Sequence, residues 1–212
     1  GGLGVIVFLL MVLPDSSPFK LRLTHLELSS LSKEGYRYKA GKTARIMMSV
    51  YIGLTIAETI CLLIAGMSPF DAVNHAMSTI ATGGFSTRNA SIMHYDSTAI
   101  DLIITIFMAL SAMHFGVIFT SFAKHSFKPL NNPVTKYYFS VIIMMTVIIA
   151  SSLKLQGGYD SWGKSFLDSA FQTVSFLTTT GFGQSDYASW PLTANALLIM
   201  ASIHCGCSGS TT

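Results

Sequence analysis

Charge is scarce in this sequence. Only 11% of its 212 residues are Asp, Glu, Lys or Arg, under half of the roughly 25% usual in soluble globular proteins, which argues against an ordinary cytosolic enzyme. The deficit is uneven: no charged side chain occurs at 1–14, 102–123, 137–153 or 187–212, and 46–70 holds only Glu58. Catalytic motifs are missing too. Ser, His and Asp are present, but there is no nucleophile elbow, H-E-x-x-H or P-loop, so an enzyme reading has nothing to hold and no bound cofactor is expected. The basic residues fall in two loops without interleaved aromatics, which argues against nucleic acid as a partner. Cysteine is limited to Cys61, Cys205 and Cys207. All three lie in apolar stretches, where small buried packing residues are the plain reading and two thiolates make a poor metal site. The opening run has neither Met nor a basic n-region, so it reads as the tail of a span rather than a signal peptide.

What the sequence has in abundance is apolar runs. A bilayer core of about 30 Å needs about 20 helical residues. Segments 44–67, 100–123, 136–153 and 190 to about 206 come close, with 3–13 as an incomplete fifth. The expected fold class is therefore all-α integral membrane. Loops 15–45 and 124–136 carry ten Lys and Arg residues, whereas the other connections hold only Arg88, Lys154 and Lys164. The positive-inside rule places the first pair in the cytoplasm, with 68–99 and 154–189 outside and membrane lipid around the spans.

Each outer segment contains an apolar helical stretch too short to cross, followed by Thr and Gly, the pattern of a re-entrant element. At an offset of 97, Ser68 aligns with Ser165, Asp71 with Asp168, Ser78 with Ser175, Thr82 with Thr179, Gly84 with Gly181 and Phe85 with Phe182. Both stretches contain Ser-x-x-Asp, a variant of the capping box, which predicts Ser68 and Ser165 as helix caps and Pro69 at the first helical position. The predicted repeat is span, capped half-helix, Thr-x-Gly-Phe loop, span. It occurs at 44–123 and 136–212, with cytoplasmic segments at 14–43 and 124–135, and 1–13 ends an earlier copy.

Non-helical backbone at membrane depth is tolerated only where it is buried in protein or lines a watery path, so these loops ask for a function. In Thr82-Gly83-Gly84-Phe85 and Thr179-Thr180-Gly181-Phe182, glycine lets successive carbonyls face one axis and Thr adds a hydroxyl oxygen. Such oxygens replace the water shell of an alkali cation, and the C-terminal end of each half-helix dipole favours positive charge. The loops look like degenerate potassium-channel filters. More closely, Gly-Met-Ser-Pro-Phe-Asp-Ala at 66–72, Ser-Thr-Ile-Ala-Thr-Gly-Gly-Phe-Ser-Thr at 78–87, Thr-Thr-Thr-Gly-Phe at 178–182 and Gly-Cys-Ser-Gly-Ser-Thr at 206–211 resemble the Trk/Ktr/HKT potassium transporter family, its TrkH-type subunits in particular.

The resemblance implies four span/half-helix/span domains around one potassium-channel-like pore, each giving one filter segment. It implies a potassium-binding filter at Thr82, Gly83, Gly84, Thr179, Thr180 and Gly181, and an intramembrane gating loop beginning at Gly206, Ser208, Gly209 and Ser210. Potassium would be cargo, taken up across the bacterial inner membrane by a multi-pass protein. A cytosolic TrkA-type nucleotide-binding subunit and a homodimer of complete subunits are the implied partners. On this pattern the chain holds the end of domain one, all of domain two and domain three to the middle of its second span, so a fragment is expected. Cys205 and Thr212 stand where the family usually has glycine. Two other readings are a two-filter channel in which two chains supply four segments, and a non-conducting membrane protein.

Several single residues carry expectations of their own. Asp71 and Asp168 read as helix-capping groups rather than a cation-attracting mouth. Glu58 is ionisable in mid-span, which by default marks function; a coupling-ion or proton site and a pair with a neighbouring span stand equal. His114 and His204 read as packed, hydrogen-bonded histidines. Trp162, Trp190, Tyr159 and Tyr187 read as interfacial anchors, and Arg88 either repels cations or pairs with Asp96.

Overall fold

The computed structural model describes residues 40–113, 117–118, 120–121, 131–156, 159 and 161–205. Gly206, Ser208, Gly209 and Ser210, expected to begin a gating loop, lie outside these, as do His114, Cys207, segment 1–13 and most of the two segments expected in the cytoplasm; so do the side chains of His204 and Cys205. The main helices are α1 (Ala40–Ile64), α2 (Pro69–Ile80), α3 (Thr98–Ser111), α4 (Pro133–Leu155), α5 (Trp162–Leu177) and α6 (Leu192–Cys205), with 3-10 turns at Ser91–Tyr95 and Tyr187–Ser189. The described residues contain no strand, in keeping with the all-helical class. Of these helices α4 is long and apolar enough to cross a membrane; the apolar stretches Met48–Ile64, Thr98–Ser111 and Leu192–Ile203 are shorter.

Helix starts follow local chemistry. Ser68 takes an extended conformation (φ −61°, ψ 148°), its hydroxyl oxygen accepts the Asp71 N–H at 3.2 Å, and Pro69 occupies the first turn. Asn132 caps α4 in the same way, its side-chain oxygen accepting from Val134 N–H at 2.7 Å ahead of Pro133. The second half-helix departs from expectation. It starts at Trp162, capped by Ser161, whose hydroxyl oxygen accepts the Gly163 N–H. Ser165 is not a cap, because its own N–H already bonds the Ser161 carbonyl inside the helix. Buried there, its hydroxyl donates to the Ala150 carbonyl at 2.9 Å and ties α5 to α4.

Helices α1, α2 and α3 pack on one another, as do α4, α5 and α6, and α3 against α5 joins the two units. The largest core cluster lies at that joint: Leu62, Ala76, Ile104 and Met108 of the first unit meet Phe171, Val174 and Phe182 of the second. Full burial of side chains of this size is worth about 1.5–3 kcal/mol each. The outside is apolar as well. Ile52, Ile56, Ile60 and Ile64, one helical turn apart along α1, are all exposed, as are Ile143, Met144, Val147 and Ile148 on α4. Continuous stripes of this kind face another apolar phase, lipid or protein.

Candidate functional site: two equivalent loops

The chain leaves α2 and α5 by the same route. Ala81, Thr82 and Gly83 donate their N–H groups to the carbonyls of Met77 (3.1 Å), Thr79 (2.9 Å) and Ser78 (2.8 Å). Thr178, Thr179 and Thr180 donate to Val174 (2.8 Å), Phe176 (3.1 Å) and Ser175 (3.0 Å), the same three bonds 97 positions later. Backbone hand repeats too. Thr82 (φ 49°) and Thr179 (φ 55°) are left-handed, as are Gly84 (φ 66°) and Gly181 (φ 86°), whereas Gly83 and Thr180 between them are not. A left-handed β-branched residue costs roughly 1–3 kcal/mol, and such strain persists where the surroundings enforce it, commonly at functional sites.

The threonine hydroxyls are turned back towards the helix ends. Thr82 donates to the Ala81 carbonyl at 2.8 Å, and buried Thr180 shares a 2.7 Å bond with Thr178. Of the six expected residues, Gly84 of the first loop meets Thr180 and Gly181 of the second, for a Cβ on Gly84 would collide with the Thr180 carbonyl oxygen.

Each loop is braced by an aspartate of its half-helix, Asp71 in the first turn of α2 and Asp168 in the second turn of α5. Asp71 accepts from the Thr87 hydroxyl at 2.6 Å with one oxygen and from the Arg88 guanidinium at 2.9 Å with the other. Arg88 thus pairs with Asp71 rather than Asp96, because the chain folds back over the start of α2 after the loop. The Thr87 hydroxyl, with Arg88 as a further contributor, holds the Asp71 carboxyl well below the usual carboxylate range. Asp168 accepts from Gln184 Nε2 at 2.9 Å and from the Tyr159 hydroxyl at 2.6 Å, and Gln184 Nε2 also donates to Asp101 at 3.0 Å. Thr87 and Gln184 are again 97 apart, so both aspartates hold the residue three beyond the glycine. Above the second loop lies a cavity of about 480 Å³ whose lining includes Asp96, Asp101, Lys164, Asp168, Gln184 and Asp186. Trp190, expected at an interface, is buried with Leu153 and Leu198 instead, while Trp162 and Tyr187 are exposed.

Sequence reasoning missed His75. It is fully buried on α2, one ring nitrogen 2.7 Å from the Asp71 carbonyl and the other 2.8 Å from Ser86 Oγ. A carbonyl only accepts, so Nδ1 carries the hydrogen and Nε2 accepts from Ser86. Phe182 packs tilted on this imidazole at 5.9 Å and Tyr95 edge-on at 5.6 Å. Gly183 is clamped beside it: its carbonyl accepts from Ile92 N–H (3.0 Å) and Met93 N–H (3.2 Å), and its N–H donates to Ser91 Oγ at 3.3 Å. The second loop is thereby seated in the first unit, while Phe85, the counterpart of Phe182, is 81% exposed.

Comparison with known proteins shows the family. The family model described as TrkH, cation transport protein, matches residues 1–153. The Trk system potassium uptake protein TrkH of Vibrio parahaemolyticus is 35% identical over 215 residues, all of this chain and 44% of the relative. The TrkG protein of Escherichia coli K12, also named a Trk system potassium uptake protein, is 36% identical over 214 residues, again all of this chain and 44% of the relative. The chain thus spans under half the length of these relatives. The crystal structure of the potassium transporter TrkH from Vibrio parahaemolyticus matches with a TM-score of 0.81 at 35% identity, covering 99% of this chain and 42% of that one. The chain belongs to the TrkH family of cation transport proteins.

Proposed function

We propose that this chain supplies two adjacent segments of a potassium filter, each presented by a re-entrant half-helix, in a TrkH-type uptake protein of the bacterial inner membrane. The observation that carries the reading is the pair of left-handed threonines, Thr82 and Thr179, each two residues before a left-handed glycine. That alternation turns a row of carbonyl oxygens, from Thr82, Gly83 and Gly84 and from Thr179, Thr180 and Gly181, towards one path. Oxygens so fixed substitute for the hydration shell of a desolvated cation without a ring of formal charge. The partly negative C-terminal ends of α2 and α5 lie immediately behind them.

The names of the relatives support potassium as the cargo. The membrane potential drives entry with about 2.3 kcal/mol per charge per 100 mV, and no chemical step is needed. The exposed apolar stripes of α1 and α4 face lipid or the rest of the protein. A TrkA-type cytosolic subunit, a gating loop at Gly206, Ser208, Gly209 and Ser210, and a dimer of complete subunits belong to the same proposal.

The test is growth of a potassium-auxotrophic bacterial strain at low potassium. We expect growth when the 212 residues replace the matching segment of a full-length TrkH, and its loss on Gly84→Ser or Gly181→Ser. Growth supported by the 212-residue chain alone would favour a two-filter channel assembled from two copies. Failure of the membrane-inserted full-length chimera would favour the non-conducting reading.

A further inference from the structure

The buried seam of α1 runs through positions 54, 58 and 62, one turn apart. Leu54 and Leu62 fit it, but the middle position is Glu58, which is fully buried and whose two carboxyl oxygens lack a hydrogen-bonding partner. On α2, which packs against α1, the hydroxyl-bearing Thr79 is fully buried as well. The Thr79 hydroxyl has already given its hydrogen to the His75 carbonyl at 2.8 Å, so towards Glu58 it can only accept. An ionised carboxylate has only lone pairs to offer, and would face the lone pairs of Thr79 in an apolar seam at a large desolvation cost. A carboxylic acid carries the one hydrogen the contact lacks.

Among the described residues no cation stands by to hold Glu58 as an anion. On the helices packed against α1, the titratable groups are Asp71 and His75 of α2 and Asp101 of α3. Asp71 is engaged by Thr87 and Arg88, His75 by the Asp71 carbonyl and Ser86, and Asp101 by Gln184. The rings of Tyr51 and Tyr138 pack against the cluster that holds Leu54 and Ile80. On α1 itself, Arg45 lies 13 residues away, about 20 Å along the helix.

We propose that Glu58 is a proton-binding site, held as the neutral acid and donating its O–H to Thr79, so that one proton couples α1 to the first loop. The coupling is short, because the Thr79 carbonyl accepts the N–H of Thr82, the first strained residue of that loop, at 2.9 Å. The effect on transport rests on reading 82–84 as a filter; the proton itself does not.

The experiment uses the full-length chimera reconstituted in lipid vesicles. Infrared spectroscopy, with glutamate carbon-13 labelled at the side-chain carboxyl, reads the carbonyl stretch of a protonated carboxyl group, and rubidium flux is followed on the same vesicles. We expect such a band at neutral pH, lost in Glu58→Gln and titrating away as the pH is raised, with a several-fold fall in flux over the same range. Glu58→Gln, which keeps shape and a donor, should retain flux and be flat over that range, whereas Glu58→Ala should be impaired throughout. Absence of a Glu58-dependent band at neutral pH overturns the proposal, as does an unchanged flux profile in Glu58→Gln. Should Glu58→Gln fail to insert, the same loss of the labelled band is read in Glu58→Asp, which keeps a carboxyl but carries no label at 58. A chimera that carries the band but moves no rubidium would sink the filter reading and leave the proton site standing.

Discussion

Gly84 and Gly181 occupy equivalent places under different constraints. Both are left-handed, but a Cβ at Gly84 strikes the Thr180 carbonyl, whereas Gly181 has open space around it. Asn enters the left-handed region more readily than other non-glycine residues. Gly181→Asn should therefore cost about 1 kcal/mol of stability, while Gly84→Asn should lower the melting temperature by several degrees more; thermal unfolding in detergent checks both. Asp71 carries a pH prediction. Its carboxyl is held below its unfolded value, so its contribution to stability is fully present above about pH 4 and is lost as the pH falls through the lower, folded value. Asp71→Asn should remove that acid-side slope from a plot of melting temperature against pH and leave the slope above pH 6 unchanged.

The tie through Gln184 works between elements. One amide nitrogen joins Asp168 of α5 to Asp101 of α3, and so joins the two units. Gln184→Leu leaves two buried carboxylates short of a donor and should cost about 1–3 kcal/mol. A double-mutant cycle with Asp101→Asn should return a non-zero coupling, read from thermal unfolding. Element existence was legible in the sequence because apolar length and cap residues are local properties, as at Ser68-Pro69 and Asn132-Pro133. The start of α5 was misjudged because Ser161 and Ser165 are one turn apart and both suit a cap; the tertiary bond to Ala150 decides between them. The braces were invisible for another reason. The equivalent residues are Thr87 in one copy and Gln184 in the other, which share a function, donation to a carboxylate, but no side-chain type. His75 was hidden in the same way, since its counterpart is Gln172.

At the scale of the whole molecule, the two units meet head to tail: the loop of the second enters the first, and the loop of the first enters nothing within the described residues. Phe182→Ala, at the centre of that joint, should cost about 3–5 kcal/mol. Phe85→Ala should leave the isolated chain within about 0.5 kcal/mol of wild type, yet destabilise the full-length chimera, where a neighbouring unit can receive the ring. Equal effects of Phe85→Ala in both settings, measured by thermal unfolding, would count against that seat.

The seat formed by His75, Ser91, Ile92 and Met93 precedes in the chain the loop that it receives. Translation proceeds from the N-terminus, and domains tend to fold in that order. The receiving residues are therefore all synthesised before Phe182 and Gly183 leave the ribosome, so the second loop emerges after the segments that are to hold it. Each new unit is shaped by the one made before it, which makes the order of synthesis part of how the site is built.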